Sequence, residues 1–195
     1  MNAAALGMLM AGAALLWWLR PRMAQAAAAE GDADYTVVWR AEDGDAGLLL
    51  PSAGMMPAAS WTPPAAAAPY LSAIERAERV HGLPAGLLAR LLYQESRYRA
   101  DIIDGRSRSP AGAIGIAQFM PATAAEFGID PRDPWASIDA AALYLSQLYR
   151  RFGNWSEALA AYNWGQGNVS RRGLDAAPAE TRAYYSQIMA DVGLA

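Results

Sequence analysis

The sequence predicts an all-α fold, or α with a minor β-hairpin, on three observations. From Tyr70 onward apolar residues recur every three or four positions, Pro and Gly stand at the ends of these runs, and no alternating run long enough for a strand occurs there. "PYLSAIERAERV" and "PAGLLARLLYQESRY" predict the first two helices, with Pro84 in the first turn of the second. A loop of about 20 residues follows, from Asp101 to Met120, and carries Gly105, Pro110, Gly112 and Gly115. Loops of that length inside a compact domain are usually functional or disordered, and this one runs into ordered-looking sequence. "PATAAEFG", "PWASIDAAALYLSQLYRRFG", "NWSEALAAYNWG" and "PAETRAYYSQIMADVG" supply four more helices.

The part before Tyr70 reads differently. Residues 3–19 form an uncharged apolar run of 17, followed at once by Arg20, Pro21 and Arg22. Both a signal-peptide core and a short membrane anchor fit that length. "AQAAAAEGD" offers small residues for a signal-peptidase cut, while the two arginines after the run would tend to hold that end in the cytoplasm. The balance favours an exported or membrane-anchored protein. Residues 24–69, rich in Ala, Pro, Gly and acids, read as a flexible linker. The expected organisation is therefore 1–23 signal peptide or anchor, 24–69 linker and 70–195 functional domain.

Composition narrows the chemistry. The 195 residues contain seven Trp and nine Tyr, enough for a core and an aromatic-lined groove. Net charge is -3, all 16 basic residues are Arg, and residues 70–195 hold 13 Arg against 13 acids, so nothing calls for nucleic acid as a partner. With no Cys, thiol nucleophiles and thiolate metal sites are excluded, and with one histidine, His81, so is a multi-histidine metal site. His81 falls at a helix end, where its expected role is to bond terminal carbonyls.

Glu95 stands out because it arrives where the helical repeat calls for another leucine. Leu92, Leu91 and Leu88 lie three, four and seven residues before it, so it shares their face, with Arg90 and Arg97 on the other side. Two readings fit this placement. Glu95 either ends the apolar face at a solvated or Arg-paired rim, or it is a buried carboxyl whose pKa is raised into the range of a general acid.

Three segments in order favour the second reading: "QES" at 94–96, "SPAGAIGIAQ" at 109–118 and "AYNWGQGNV" at 161–169, with "MPATA" directly after the second and "PAETRAYY" near the end. Together they resemble the soluble lytic transglycosylase and goose-type lysozyme-like domain family over roughly residues 70–193. The resemblance implies a lysozyme-like helical domain with a cleft, in which Glu95 is the catalytic acid and base and Ser96 bonds local backbone. It implies that Ser109 faces the carboxyl across the cleft, that Gln118 bonds a saccharide acetamido or hydroxyl group, that Tyr162 bonds and orients the carboxyl, and that Asn163 steadies that helix end or the substrate.

The implied substrate is peptidoglycan glycan strands, and the implied reaction cleaves the β-1,4 bond between N-acetylmuramic acid and N-acetylglucosamine with formation of a 1,6-anhydro sugar. Neither a metal nor an organic cofactor is needed. The expected setting is the periplasm or cell envelope, through membrane association of residues 3–19, or a phage virion, with a secretion-system or virion partner. Two departures from the family pattern stand out: Ile116 and Ala117 replace the usual Leu-Met, and "RADIIDGRSR" lengthens the loop, bringing Asp101 and Asp104 near the cleft or into a solvated turn. Trp155 and Trp164 either stack on sugar rings or belong to the core. Competing functions are a hydrolytic lysozyme or chitinase of the same fold, with Asp101 or Asp104 holding water, and a non-catalytic glycan-binding assembly module.

Overall fold

The computed structural model describes residues 61–195; the apolar run at 3–19 and most of the expected linker lie outside the described residues. A 3₁₀ turn over Ala65–Tyr70 leads into α1 (Leu71–His81), α2 (Leu87–Ser96), α3 (Ala100–Ile103), α4 (Pro121–Glu126), α5 (Pro134–Phe152) and α6 (Trp155–Ala160). A π-helical turn, Ala161–Gly165, joins α6 to α7 (Gln166–Arg172), and a 3₁₀ turn at Leu174–Ala176 precedes α8 (Ala179–Asp191). The all-α expectation holds among the described residues. The hairpin option reduces to a single antiparallel bridge between Ile114 and Phe119 inside the long loop.

The helix ends follow local chemistry. Pro134 opens α5 behind Asp133, whose carboxylate accepts from the amides of Trp135 and Ala136, and the helix stops at Gly153 in the left-handed conformation. Asn154 then caps α6 by accepting from the Glu157 amide. Helix α2 starts at Leu87, three residues later than Pro84 predicts, because Gly86 takes a φ of 80°. Its first amides are capped from another helix: the Glu78 carboxylate of α1 accepts from Gly86, Leu88 and Ala89 at 3.0, 2.9 and 3.3 Å.

Packing builds around α5, which lies between α1 and α6, while α8 packs on α6 and α2. Leu87, Leu88, Leu91 and Leu92 of α2 join Ile138, Leu145 and Leu148 of α5 in one buried cluster. Helix α2 is buried almost all round, so the side carrying Arg90 is covered as well as the leucine face. Part of that cover comes from residues assigned to the linker. Trp61 packs on the core, its amide donates to the Asp191 carbonyl, and its ring lies against Tyr93 with centroids 5.6 Å apart. His81 bonds Asp139 of α5 at 3.1 Å where helix-terminal carbonyls were the expected partners.

Candidate active site

Glu95 lies in the last turn of α2, and the chain leaves that turn abruptly. Arg97 and Tyr98 both take positive φ, 54° and 53°. For non-glycine residues such conformations cost of order 1–3 kcal/mol each and persist only where surroundings hold them. Here Ser96 supplies the hold: its hydroxyl donates to the Leu92 carbonyl and accepts from the Tyr98 amide, while the Tyr98 hydroxyl donates to the Ala89 carbonyl. Ser96 thus bonds local backbone.

The Glu95 side chain is 3% exposed. Burial pushes its pKa up to about 8, and the Tyr184 hydroxyl, donating to Oε1 at 2.6 Å, pulls back only part of the way. The pKa values of Tyr184 and Tyr162 are themselves raised well above the ordinary tyrosine value, by burial first and the Glu95 charge second, so both stay protonated at neutral pH. A carboxyl that is neutral near pH 7 and can cross to its charged form with a hydrogen bond waiting is the property a general acid needs.

Glu95 opens into a pocket lined also by Gln118, Met120 and Thr123 on one side, Tyr162, Asn163 and Gly165 on the other, and Tyr144 from α5. The first wall depends on Gly115. At its φ of 83°, a Cβ would sit 1.8 Å from the Pro131 carbonyl oxygen, so only glycine fits. Gln118, with a φ of 48°, closes the same tight turn by donating its side-chain amide to the Gly115 carbonyl at 2.9 Å. The second wall is the π-helical turn, a form often found at functional sites. The Tyr162 hydroxyl ties the two walls together by donating to the Ala117 carbonyl at 3.0 Å. Asn163 Oδ1 accepts from Thr181 Oγ1 of α8.

These positions correct several expectations. Tyr184, and not Tyr162, bonds the carboxyl; Tyr162 spends its one proton on the loop backbone. The Ser109 hydroxyl accepts the Ala113 amide within its own turn, and Ser109 is not among the residues lining the pocket. Asp101 and Asp104 are each held by a neighbouring arginine, Arg99 at 2.7 Å and Arg106 at 2.6 Å. Their pKa values are lowered, for Asp101 by its bonds from Arg99 and for Asp104 by the Arg106 amide and guanidinium, and neither lines the pocket. Trp164 is buried under Arg172, and Trp155 stacks on Tyr149 with centroids 4.0 Å apart, so both belong to packing. Tyr184, Tyr144, Met120 and Thr123 received no role in the sequence. The available signal for Tyr184 was its place between Thr181 and Ile188 on one face of α8, where a buried ring must find a partner for its hydroxyl.

The profile of the transglycosylase SLT domain family matches residues 72–184. A membrane-bound lytic murein transglycosylase F 2 of Alkalilimnicola ehrlichii is 36% identical over 108 residues, covering 51% of this chain and 23% of its own. A transglycosylase of Enterobacteria phage PRD1 is 34% identical over 90 residues, covering 46% and 32%. Among solved structures, the 70 kDa soluble lytic transglycosylase of Escherichia coli aligns at 26% identity with a TM-score of 0.53, covering 63% of this chain and 23% of that one. The chain spans less than a third of the length of each of these proteins.

Proposed function

The chain belongs to the transglycosylase SLT domain family, and from that premise we propose that it is a peptidoglycan lytic transglycosylase, cleaving the β-1,4 bond between N-acetylmuramic acid and N-acetylglucosamine. The observation that carries this reading is a single buried carboxyl, Glu95, in a pocket where no second acid lines the wall. Protonated Glu95 gives its proton to the glycosidic oxygen as the bond to C1 breaks, and the Tyr184 hydrogen bond steadies the carboxylate that forms. The carboxylate then takes the proton of the muramoyl C6 hydroxyl as that oxygen attacks C1, which closes the 1,6-anhydro ring and returns Glu95 to its acid form. Ring closure is intramolecular and so competes well with water. An inverting hydrolase would need a second carboxylate across the sugar, and the paired, outward Asp101 and Asp104 do not supply it.

Gln118 and Asn163 are the side chains we assign to saccharide contacts, and the activity belongs to the cell envelope or to a virion entering it. Association with a membrane through residues 3–19, and with a secretion-system or virion partner, completes the proposal. Among the described residues no helix is long and apolar enough to cross a membrane. Mass spectrometry of muropeptides released from purified sacculi tests the reaction. Strands ending in 1,6-anhydromuramic acid are expected, and mainly reducing ends would overturn the assignment in favour of a lysozyme.

A further inference from the structure

Arg90 is 1% exposed, an unusual place for a guanidinium. Its Nε donates to Asp191 Oδ2 at 2.7 Å, its Nη1 donates to Gln94 Oε1 at 2.9 Å, and the rings of Trp61 and Tyr93 lie 5.6 and 5.5 Å from its central carbon. Asp191 ends α8, the helix that carries Tyr184, and Gln94 precedes Glu95. Helices α2 and α8 are thus joined by two polar rungs, Arg90 to Asp191 and Glu95 to Tyr184. The rungs are five residues apart on α2 and seven on α8, about 7.5 and 10.5 Å along the helix axes, and they run in opposite chain directions. One rung is a charged fork among aromatic rings. The other is a 2.6 Å hydroxyl–carboxyl bond that a small shift of α8 would stretch.

We propose that Arg90 is a positioning residue: by clamping Asp191 against α2 it fixes α8 where the Tyr184 hydroxyl meets Glu95. The clamp includes Trp61, so the segment entering the domain is part of the scaffold of the site. The proposal rests on the assignment of Glu95 as the reacting acid. The groups facing Glu95 are Tyr184 from α8 and Tyr162 from the π-helical turn, both neutral near pH 7, so loss of the Tyr184 bond removes the contact that favours the carboxylate and Glu95 titrates at higher pH.

The test follows Glu95 by carbon-13 NMR titration and turnover on sacculi, in the full chain, for Arg90→Met, Tyr184→Phe and the two combined. Arg90→Met should lower kcat by about tenfold with little change in KM, the kind of loss that misplacing a reacting group produces. It should also move the Glu95 titration upward, and neither effect should add to Tyr184→Phe. A folded Arg90→Met with wild-type kcat and titration overturns the proposal. So does a shift that persists undiminished beside Tyr184→Phe, because the guanidinium would then act directly by its charge. If Arg90→Met does not fold, Arg90→Met/Asp191→Leu carries the same comparison, since replacing a buried pair by apolar groups is often neutral for stability; wild-type titration in that folded variant counts equally against the clamp. The titration needs no substrate, so a wild-type chain that released no 1,6-anhydro ends would overturn the proposed reaction and leave the clamp to be judged on the NMR result.

Discussion

Helix α2 has a buried glutamate at each end, and the two meet different numbers of hydrogen-bond donors. Glu78, reaching over from α1, faces the N-terminal end and accepts three backbone amides. Burial raises its pKa overall, and those three bonds pull it part of the way back, at the helix end whose dipole favours an anion. Glu95, in the C-terminal turn, accepts one tyrosine hydroxyl, and burial there carries its pKa to about 8. Both carboxyls are almost fully enclosed, at 5% and 3% exposure. The number of donors therefore separates them: three amides tie the Glu78 carboxyl into the start of α2, while Glu95 has one hydroxyl to offset its burial.

Removing the Glu95 proton donor should have the largest effect. Glu95→Gln is expected to fold and to lose at least about a hundredfold in turnover on sacculi, the scale of lost acid–base catalysis. The same variant should be more stable than wild type at alkaline pH. The folded pKa of Glu95 lies above its value in an unfolded chain, so its favourable contribution is complete below about pH 4.5 and is lost as pH rises through about 8. Thermal melts should show Glu95→Gln ahead by on the order of a few kcal/mol near pH 8, with the gap closing toward pH 5. Equal melting of the two proteins across that range would show that the carboxyl is not forced into its neutral form.

At the other end of α2, Glu78→Ala should cost stability and not chemistry. Leaving the Leu88 and Ala89 amides buried without an acceptor should cost about 2–3 kcal/mol, read as a lower melting temperature, with kcat near wild type at temperatures where the domain stays folded. A large kcat loss in folded Glu78→Ala would erase the contrast between the two ends.

Tyr184→Phe removes the single donor and sharpens the comparison. Turnover should fall by about tenfold, the worth of one hydrogen bond to a charged group. The alkaline limb of activity, set by the Glu95 proton, should move above its wild-type position near pH 8, which a pH–rate profile reads directly. The smallest effect is expected for Asp101→Asn and Asp104→Asn. These surface acids pair with Arg99 and Arg106, and both variants should keep activity within about twofold because such pairs contribute little.

By itself the sequence determined the helical class and the inward face of Glu95, because a 3.6-residue repeat is a local property that each run of leucines and alanines carries without reference to the rest of the chain. It also placed Gly115 in the long loop before Gln118, but only the fold shows that the Pro131 carbonyl leaves room for nothing larger there. The partner of the carboxyl was decided only in the folded state. Tyr162, partly buried, and Tyr184, buried, both lie near the acid, and which hydroxyl reaches it depends on how α2, α8 and the π-helical turn pack together. The same holds for Arg90, which periodicity places opposite the leucine face. That side is buried too, because Trp61 and the end of α8 fold over it from parts of the chain that no helical repeat in α2 could announce.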